Sequence, residues 1–167
     1  MIQQDTIIHR FQIMRTLFLF FFFLVMTVFS FAQKVDESLL VASLERTTCY
    51  GNCPYYEVKV YSNGVITYNG RKNVDYLGLH KGVLSQKQIR QLLDKAKSVG
   101  YVHLENKYPI KGLGIIDFPV CITSVREGTK TKMIYNRNDS PQRLVEYQNF
   151  FDELIEELDW KKIGYQN

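Results

Sequence analysis

The stretch 55–68, which reads YYEVKVYSNGVITY, decides the fold that this 167-residue sequence predicts. In its first half, apolar residues alternate with Glu57 and Lys59, as in a strand with one buried and one solvated face. Asn63-Gly64 follows, and both residues tolerate positive φ, which favours a hairpin closed by a type I′ turn. The stretch therefore predicts an antiparallel hairpin with strands at 55–61 and 65–68.

Further elements are predicted on both sides of this hairpin. They are, in chain order, a strand at 40–44, a weaker strand at 73–79, a helix from Ser85 to Gly100, a hairpin of 120–126 with 130–135, and a helix capped by Ser140. The first helix begins with a capping box of Ser85 and Gln88, and the second has Pro141 in its first turn. Residues 101–118 contain Gly and Pro and predict an irregular loop.

Grouping of the strands into hairpins, without strand–helix–strand alternation, predicts an α+β fold. We expect an antiparallel sheet built from hairpins, with the two amphipathic helices packed on one face. The predicted order is hairpin–helix–hairpin–helix.

The first 32 residues have the composition of a secretory signal peptide. Residues 17–32 carry no charge, Arg15 precedes them, and Ser30 and Ala32 place small residues at positions −3 and −1 of a cleavage site. An uncleaved membrane anchor is the alternative, although sixteen residues fall short of the roughly 17–25 that span a bilayer. We expect cleavage after Ala32, with Met14 as an alternative start of translation. The exported chain would then comprise a short lead at 33–39, one domain at 40–160 and a tail at 161–167.

The charge of the chain argues against nucleic acid or a lipid surface as partner. The net charge of +4 falls to +3 when residues 1–32 are removed, because they hold two arginines and one aspartate. A membrane would be a partner only if residues 17–32 are not cleaved. The expected partner is therefore a protein or ligand of the cell envelope, in the periplasm or outside the cell.

Three cysteines lie in the exported part of the chain, at 49, 53 and 121. Outside the cytoplasm a thiol pair tends to be bridged, and Gly51 and Asn52 provide a turn that could bring Cys49 and Cys53 together. A structural disulfide is therefore expected. A redox-active dithiol and a zinc site that adds His80 or His103 are weaker alternatives, because the spacing is C-x₃-C and there is no local His pair. Cys121 lies in an apolar segment and is expected to be buried.

The segment Cys49-Tyr50-Gly51-Asn52-Cys53-Pro54, with the hairpin after it, resembles the signature of the bacterial domain-of-unknown-function family 6438. The resemblance covers roughly residues 40–160. It implies an exported or lipid-anchored protein, although this chain has no lipobox cysteine near the predicted cleavage site. It implies no activity.

The sequence contains no signature of an active site. His80 and His103 are not part of a recognisable catalytic motif, and the carboxylates of the last helix have the pattern of a solvated face. We therefore predict no catalytic residues, no cofactor and no metal, and a non-catalytic domain that binds a protein or small ligand through its sheet face or the loop 101–118. Tyrosines are the expected contacts, because each joins apolar area to a polar tip; they are Tyr50, Tyr55, Tyr61, Tyr76 and Tyr108. A thiol-dependent enzyme or redox protein using Cys49 and Cys53, and a membrane-anchored accessory subunit, are the alternatives.

Overall fold

Eight strands and two helices form the folded part of the chain in a computed structural model that describes residues 14–15, 36–115 and 117–164. The strands are β1 Leu40–Arg46, β2 Tyr55–Tyr61, β3 Val65–Lys72, β4 Gly78–Val83, β5 Lys107–Tyr108, β6 Cys121–Glu127, β7 Lys130–Asn136 and β8 Lys161–Gly164, and the helices are α1 Gln86–Ser98 and α2 Gln142–Glu156. Apart from 14–15, residues 1–35 lie outside the described residues, so the signal peptide stays a prediction. The described residues include no helix long and apolar enough to cross a membrane.

All eight strands belong to one sheet, in the order β5-β7-β6-β1-β2-β3-β4-β8. Every neighbouring pair is antiparallel except β5 and β7, which are parallel. In the central strands, Leu44 lies opposite Val58 on one side and Thr123 on the other, and all three are completely buried. This buried face is called the core face below, and the side of the sheet that carries Glu45 and Glu57 is called the second face.

The two helices place their apolar stripes in the same core as the core face. In α1 the buried residues are Ile89, Leu92 and Ala96, and in α2 Phe151 lies among the completely buried side chains. The capping box of α1 is present, because Ser85 Oγ accepts from the Gln88 N–H and the Gln88 side chain accepts from the Ser85 N–H. The predicted α+β class with a mostly antiparallel sheet is therefore confirmed.

The predicted order hairpin–helix–hairpin–helix is wrong. Four consecutive strands in one stretch precede α1, where that order allows a single hairpin, and the weak strand expected at 73–79 begins only at Gly78, after a turn at 73–77. The loop 101–118 contains the two-residue strand β5. Lys161–Gly164, predicted as part of a tail, forms β8, which pairs with β4 after α2 has brought the chain back to that edge.

Two local predictions also differ from the structure. Gly64 has φ +91°, but Asn63 is not among the residues with positive φ, so the turn between β2 and β3 is not type I′. The Asn63 side chain instead accepts a hydrogen bond from the Val65 N–H at 3.1 Å. At the start of α2, Pro141 rather than Ser140 occupies the N-cap position, and no side chain caps the helix.

We predict that Gly70→Ala destabilises the protein by about 1–3 kcal/mol or more, the range found for overpacked sites. A Cβ at position 70 would lie 1.9 Å from the Tyr76 carbonyl oxygen, a backbone atom that cannot rotate away. Gly51→Ala is the matched control, because its Cβ would meet only Cys49 Sγ, at 3.8 Å. Urea unfolding of both variants measures the difference, and equal stabilities would contradict this account of the 73–77 turn.

Candidate functional site

The loop between β5 and β6 is held in a defined shape by polar contacts with the residues that follow β7. The Ile115 N–H donates to Asn138 Oδ1 at 3.2 Å, and Arg137 Nη1 donates to the Leu113 carbonyl oxygen at 3.1 Å. Gly114 has φ +72°, and a Cβ there would lie 2.5 Å from Asn138 Oδ1. Glycine is therefore required where the loop approaches Asn138.

Large apolar side chains project from this loop into solvent. Their exposed fractions are 66% for Ile110, 72% for Leu113, 49% for Ile115 and 48% for Phe118. These four residues are called the loop surface below. Single exposed apolar residues are ordinary, but four on one short loop make it a candidate interaction site.

The loop surface borders a groove on the edge of the sheet. The groove has a volume of about 250 Å³ and is lined by Lys107, Tyr108, Leu113, Val120, Tyr135 and Arg137. Tyr135 and Met133 of β7 are both nearly half exposed beside it. Apolar and cationic groups therefore meet at one end of the sheet.

The structure places the five predicted contact tyrosines in different environments. Tyr50 is 94% exposed, at the tip of the disulfide loop, and Tyr76 is partly exposed. Tyr55 is half-buried, with the Arg71 guanidinium 4.9 Å from its ring centre. These tyrosines do not form one patch, because Tyr55 lies on the second face, whereas Tyr76 packs against His80, which is paired with Tyr68 on the core face.

Tyr61 and Tyr108 cannot serve as surface contacts, because they are only 2% and 4% exposed. The 3-10 turn Glu37–Leu39 lies beside Tyr61, whose hydroxyl donates to Glu37 Oε1 at 3.0 Å. The hydroxyl of Tyr108 accepts from the Glu105 N–H at 3.1 Å. Sequence alternation could not reveal this burial, because Tyr61 is contacted by a 3-10 turn and Tyr108 joins the core from a strand of only two residues.

Cys49 and Cys53 form a disulfide with a Cα–Cα distance of 5.6 Å, as expected from the sequence. The signature Cys49, Tyr50, Gly51, Cys53 and Pro54 therefore forms a closed, mostly exposed loop between β1 and β2. Because both sulfurs are bonded to each other, neither can act as a thiolate ligand of a metal or as a nucleophile in this state. In the described part of the chain, no three His, Cys, Asp or Glu side chains are grouped to hold a metal ion.

Cys121 is a buried free cysteine on the core face of β6. Burial raises the pKa of its thiol to about 12, and the nearby Arg46 only partly opposes this effect. Because the thiolate is the nucleophile, a thiol with so high a pKa is inert at neutral pH. The sequence prediction that Cys121 is a buried apolar residue is confirmed.

A polar network that the sequence did not indicate joins the end of β1 to α2. Arg46 forms an ion pair with Asp152, and the Tyr56 hydroxyl donates to the other carboxylate oxygen at 2.7 Å. Burial, reinforced by the Asp152 charge, raises the pKa of Tyr56 well above its usual value, so Tyr56 remains a donor. Arg46 lies opposite Tyr56 and Cys121 in the sheet, next to the disulfide loop. This network fixes the helix on the sheet.

A second pocket, of about 440 Å³, lies where α1 ends and the β6–β7 hairpin turns. Lys97, His103, Arg126 and Glu127 provide its polar lining, and Leu93 and Val125 contribute apolar atoms. Arg126 is committed to structural contacts, since it donates to the carbonyl oxygens of Ser38 and Gly128. Because its rim carries charges of both signs, this pocket favours neither an anionic nor a cationic ligand, whereas the charged side chains that line the groove beside the loop surface are cationic.

The family model described as Domain of unknown function (DUF6438) matches residues 41–155. The chain therefore belongs to this family. No curated protein matches it significantly.

We predict that Asp152→Ala lowers the free energy of unfolding by about 2–4 kcal/mol. Removing one member of a fully buried pair costs about 3–5 kcal/mol, and the Arg46 and Asp152 side chains retain 26% and 22% exposure, which reduces the effect. Asp94→Ala is the control, because Asp94 pairs with Lys97 on the surface, where such a pair contributes at most about 1 kcal/mol. Chemical denaturation measures both variants, and an equal loss of unfolding free energy in the two would contradict an anchoring role for the network.

We predict that iodoacetamide labels none of the three cysteines of the native protein at pH 7. The bridge protects Cys49 and Cys53, and the raised pKa keeps Cys121 protonated and buried. Mass spectrometry should find one labelled site in denaturant and three after denaturation with reductant. Rapid labelling of the native protein without reductant would instead favour a reactive thiol.

Proposed function

We propose that this member of the DUF6438 family is an exported, non-catalytic domain that binds a protein partner through the loop surface. The observation that carries the proposal is the exposure of Ile110, Leu113, Ile115 and Phe118 on a loop fixed by hydrogen bonds. Such a loop loses little conformational entropy on binding, so the burial of its apolar side chains contributes more fully to affinity.

The charges around the loop surface support a partner with carboxylates beside its apolar residues. Lys107 and Lys111 are exposed on the loop flank, and Arg137 lines the groove, although Lys107 and Arg137 also donate to loop carbonyl oxygens. Asp117 is an exposed carboxylate on the same loop, so the cations there outnumber it three to one. A cationic border of this kind speeds association with an acidic surface and sets the orientation of the partner.

Export rests on the composition of residues 17–32 and on the disulfide, since bridges persist in oxidising compartments. A free thiol nucleophile has less support, because the paired sulfurs are bridged and Cys121 is buried, whereas a bridged pair is equally the oxidised form of a redox dithiol. A membrane-anchored accessory subunit would use the same loop surface and differ only in whether residues 17–32 are retained. Fractionation of cells expressing the tagged full chain separates these two forms.

We predict that the full chain with a photo-crosslinking phenylalanine analogue at position 113 or 118 forms a specific adduct with one envelope protein. The same analogue at position 83 is the control, because Val83 is 73% exposed but lies on β4, away from the loop. Adducts of equal yield and identity from position 83 would contradict the loop surface as the binding site.

The double variant Leu113→Ser/Phe118→Ser should weaken capture of that protein by about a hundredfold or more, because each buried apolar side chain contributes about 1.5–3 kcal/mol. Val83→Ser should leave capture unchanged. Circular dichroism should show that all variants fold, since the substituted side chains are exposed. Unchanged capture by the double variant would overturn the proposal.

A further inference from the structure

The outer edge of β7 is only partly covered by another strand. On its inner side, β7 pairs with β6 along its whole length, from Lys130 to Asn136. On its outer side, β5 pairs only with Tyr135 and Asn136. Residues 130–134 therefore form a free edge of the sheet.

The existing hydrogen bonds define which backbone groups face outward. The N–H groups of Tyr135 and Arg137 donate to the carbonyl oxygens of Asn106 and Tyr108, on the β5 side. Because backbone groups alternate along a strand, the N–H and C=O groups of Thr131 and Met133 point to that same side. Within residues 36–115 and 117–164, these outward groups of Thr131 and Met133 have no backbone hydrogen-bond partner.

We propose that an extended segment of the protein partner adds to the sheet as a strand along this free edge, in line with β5. This inference rests on the proposed function and specifies how the partner is recognised. Unpaired edge groups are a template for strand addition, in which main-chain hydrogen bonds give affinity and alternate side chains give specificity.

The side chains that flank the edge specify an alternating partner sequence. Thr131, Met133 and Tyr135 project from the second face, where Leu113 also lines the groove. Lys130 and Lys132 project from the opposite side of the strand, where Lys130 lies opposite Glu127 of β6 and the Lys132 ammonium donates to Asn106 Oδ1. A partner strand with an apolar residue toward Met133, and acidic residues toward the lysines, would satisfy both sides of the free edge.

Charge argues against a second copy of this chain as the added strand. A twofold pairing of β7 with β7 over the free edge would place Lys130 and Lys132 directly or diagonally opposite the same lysines. Like charges across a strand pair are destabilising, whereas an acidic segment is attracted to the same positions. The observed charge therefore favours a different, acidic partner.

The test uses a fluorescein-labelled hexapeptide of alternating glutamate and valine, with fluorescence anisotropy against the full chain. A hexapeptide of the same composition in block order, three glutamates followed by three valines, is the control for alternation. We expect the alternating peptide to bind at least tenfold more tightly than the block peptide. Equal binding of the two, or no binding of the alternating peptide, would overturn the inference.

Two substitutions at one position separate backbone pairing from side-chain contact. Met133→Pro removes an outward N–H without breaking the ladder with β6, because proline is tolerated at the free side of an edge strand. It should weaken binding at least tenfold, whereas Met133→Thr, which keeps the N–H, should weaken it less than fivefold. Circular dichroism checks that both variants fold, and equal affinities for the two would overturn strand addition.

The remaining outcomes separate failure of strand addition from failure of the proposed function. If sedimentation of the full chain shows a dimer that Met133→Pro dissociates, the edge binds a second copy and the inference is wrong. If the peptide experiment fails while Leu113→Ser/Phe118→Ser still abolishes capture of the crosslinked protein, the proposed function stands without strand addition. Failure of both experiments would remove the proposed function as well.

Discussion

The burial of one face of the central strands under both helices is the constraint on which the rest of this structure depends. Ala42, Leu44, Val58, Val60 and Ile66 are completely buried there, in strands that lie side by side. A slip of one residue between β1 and β2 would exchange this set for charged residues such as Glu45 and Glu57. The register is therefore fixed by the core, and every loop at the strand ends takes its position from it.

Polar contacts orient α2 on that apolar core. The pair of Arg46 and Asp152, with the Tyr56 hydroxyl, ties the far end of β1 to the C-terminal part of α2, near the disulfide loop. Separating the members of such a pair would leave a partly buried charge without its partner, which disfavours packings of the helix that break the contact. The helix thus sits at one angle on the sheet, and α2 delivers the chain to β4, where β8 pairs.

Function is proposed for the end of the sheet that the core leaves least covered. β5 protects only two residues of β7, so the loop surface, the groove and a free strand edge lie next to one another. Each of these features exposes groups that a folded domain normally buries or pairs. Their coincidence at one edge gives the proposed binding role its physical basis, and the cations around them give it a chemical preference.

The sequence by itself determined the elements that depend on local patterns. The alternation of apolar and charged residues predicted both ends of β2 correctly. Ser85 and Gln88 defined the start of α1, and the short turn between Cys49 and Cys53 indicated their bridge. Only the tertiary structure decided what depends on distant neighbours. Tyr61 is contacted by the 3-10 turn that holds Glu37, Tyr108 reaches the core through the short strand β5, and strand β8 exists because β4 offers it an edge.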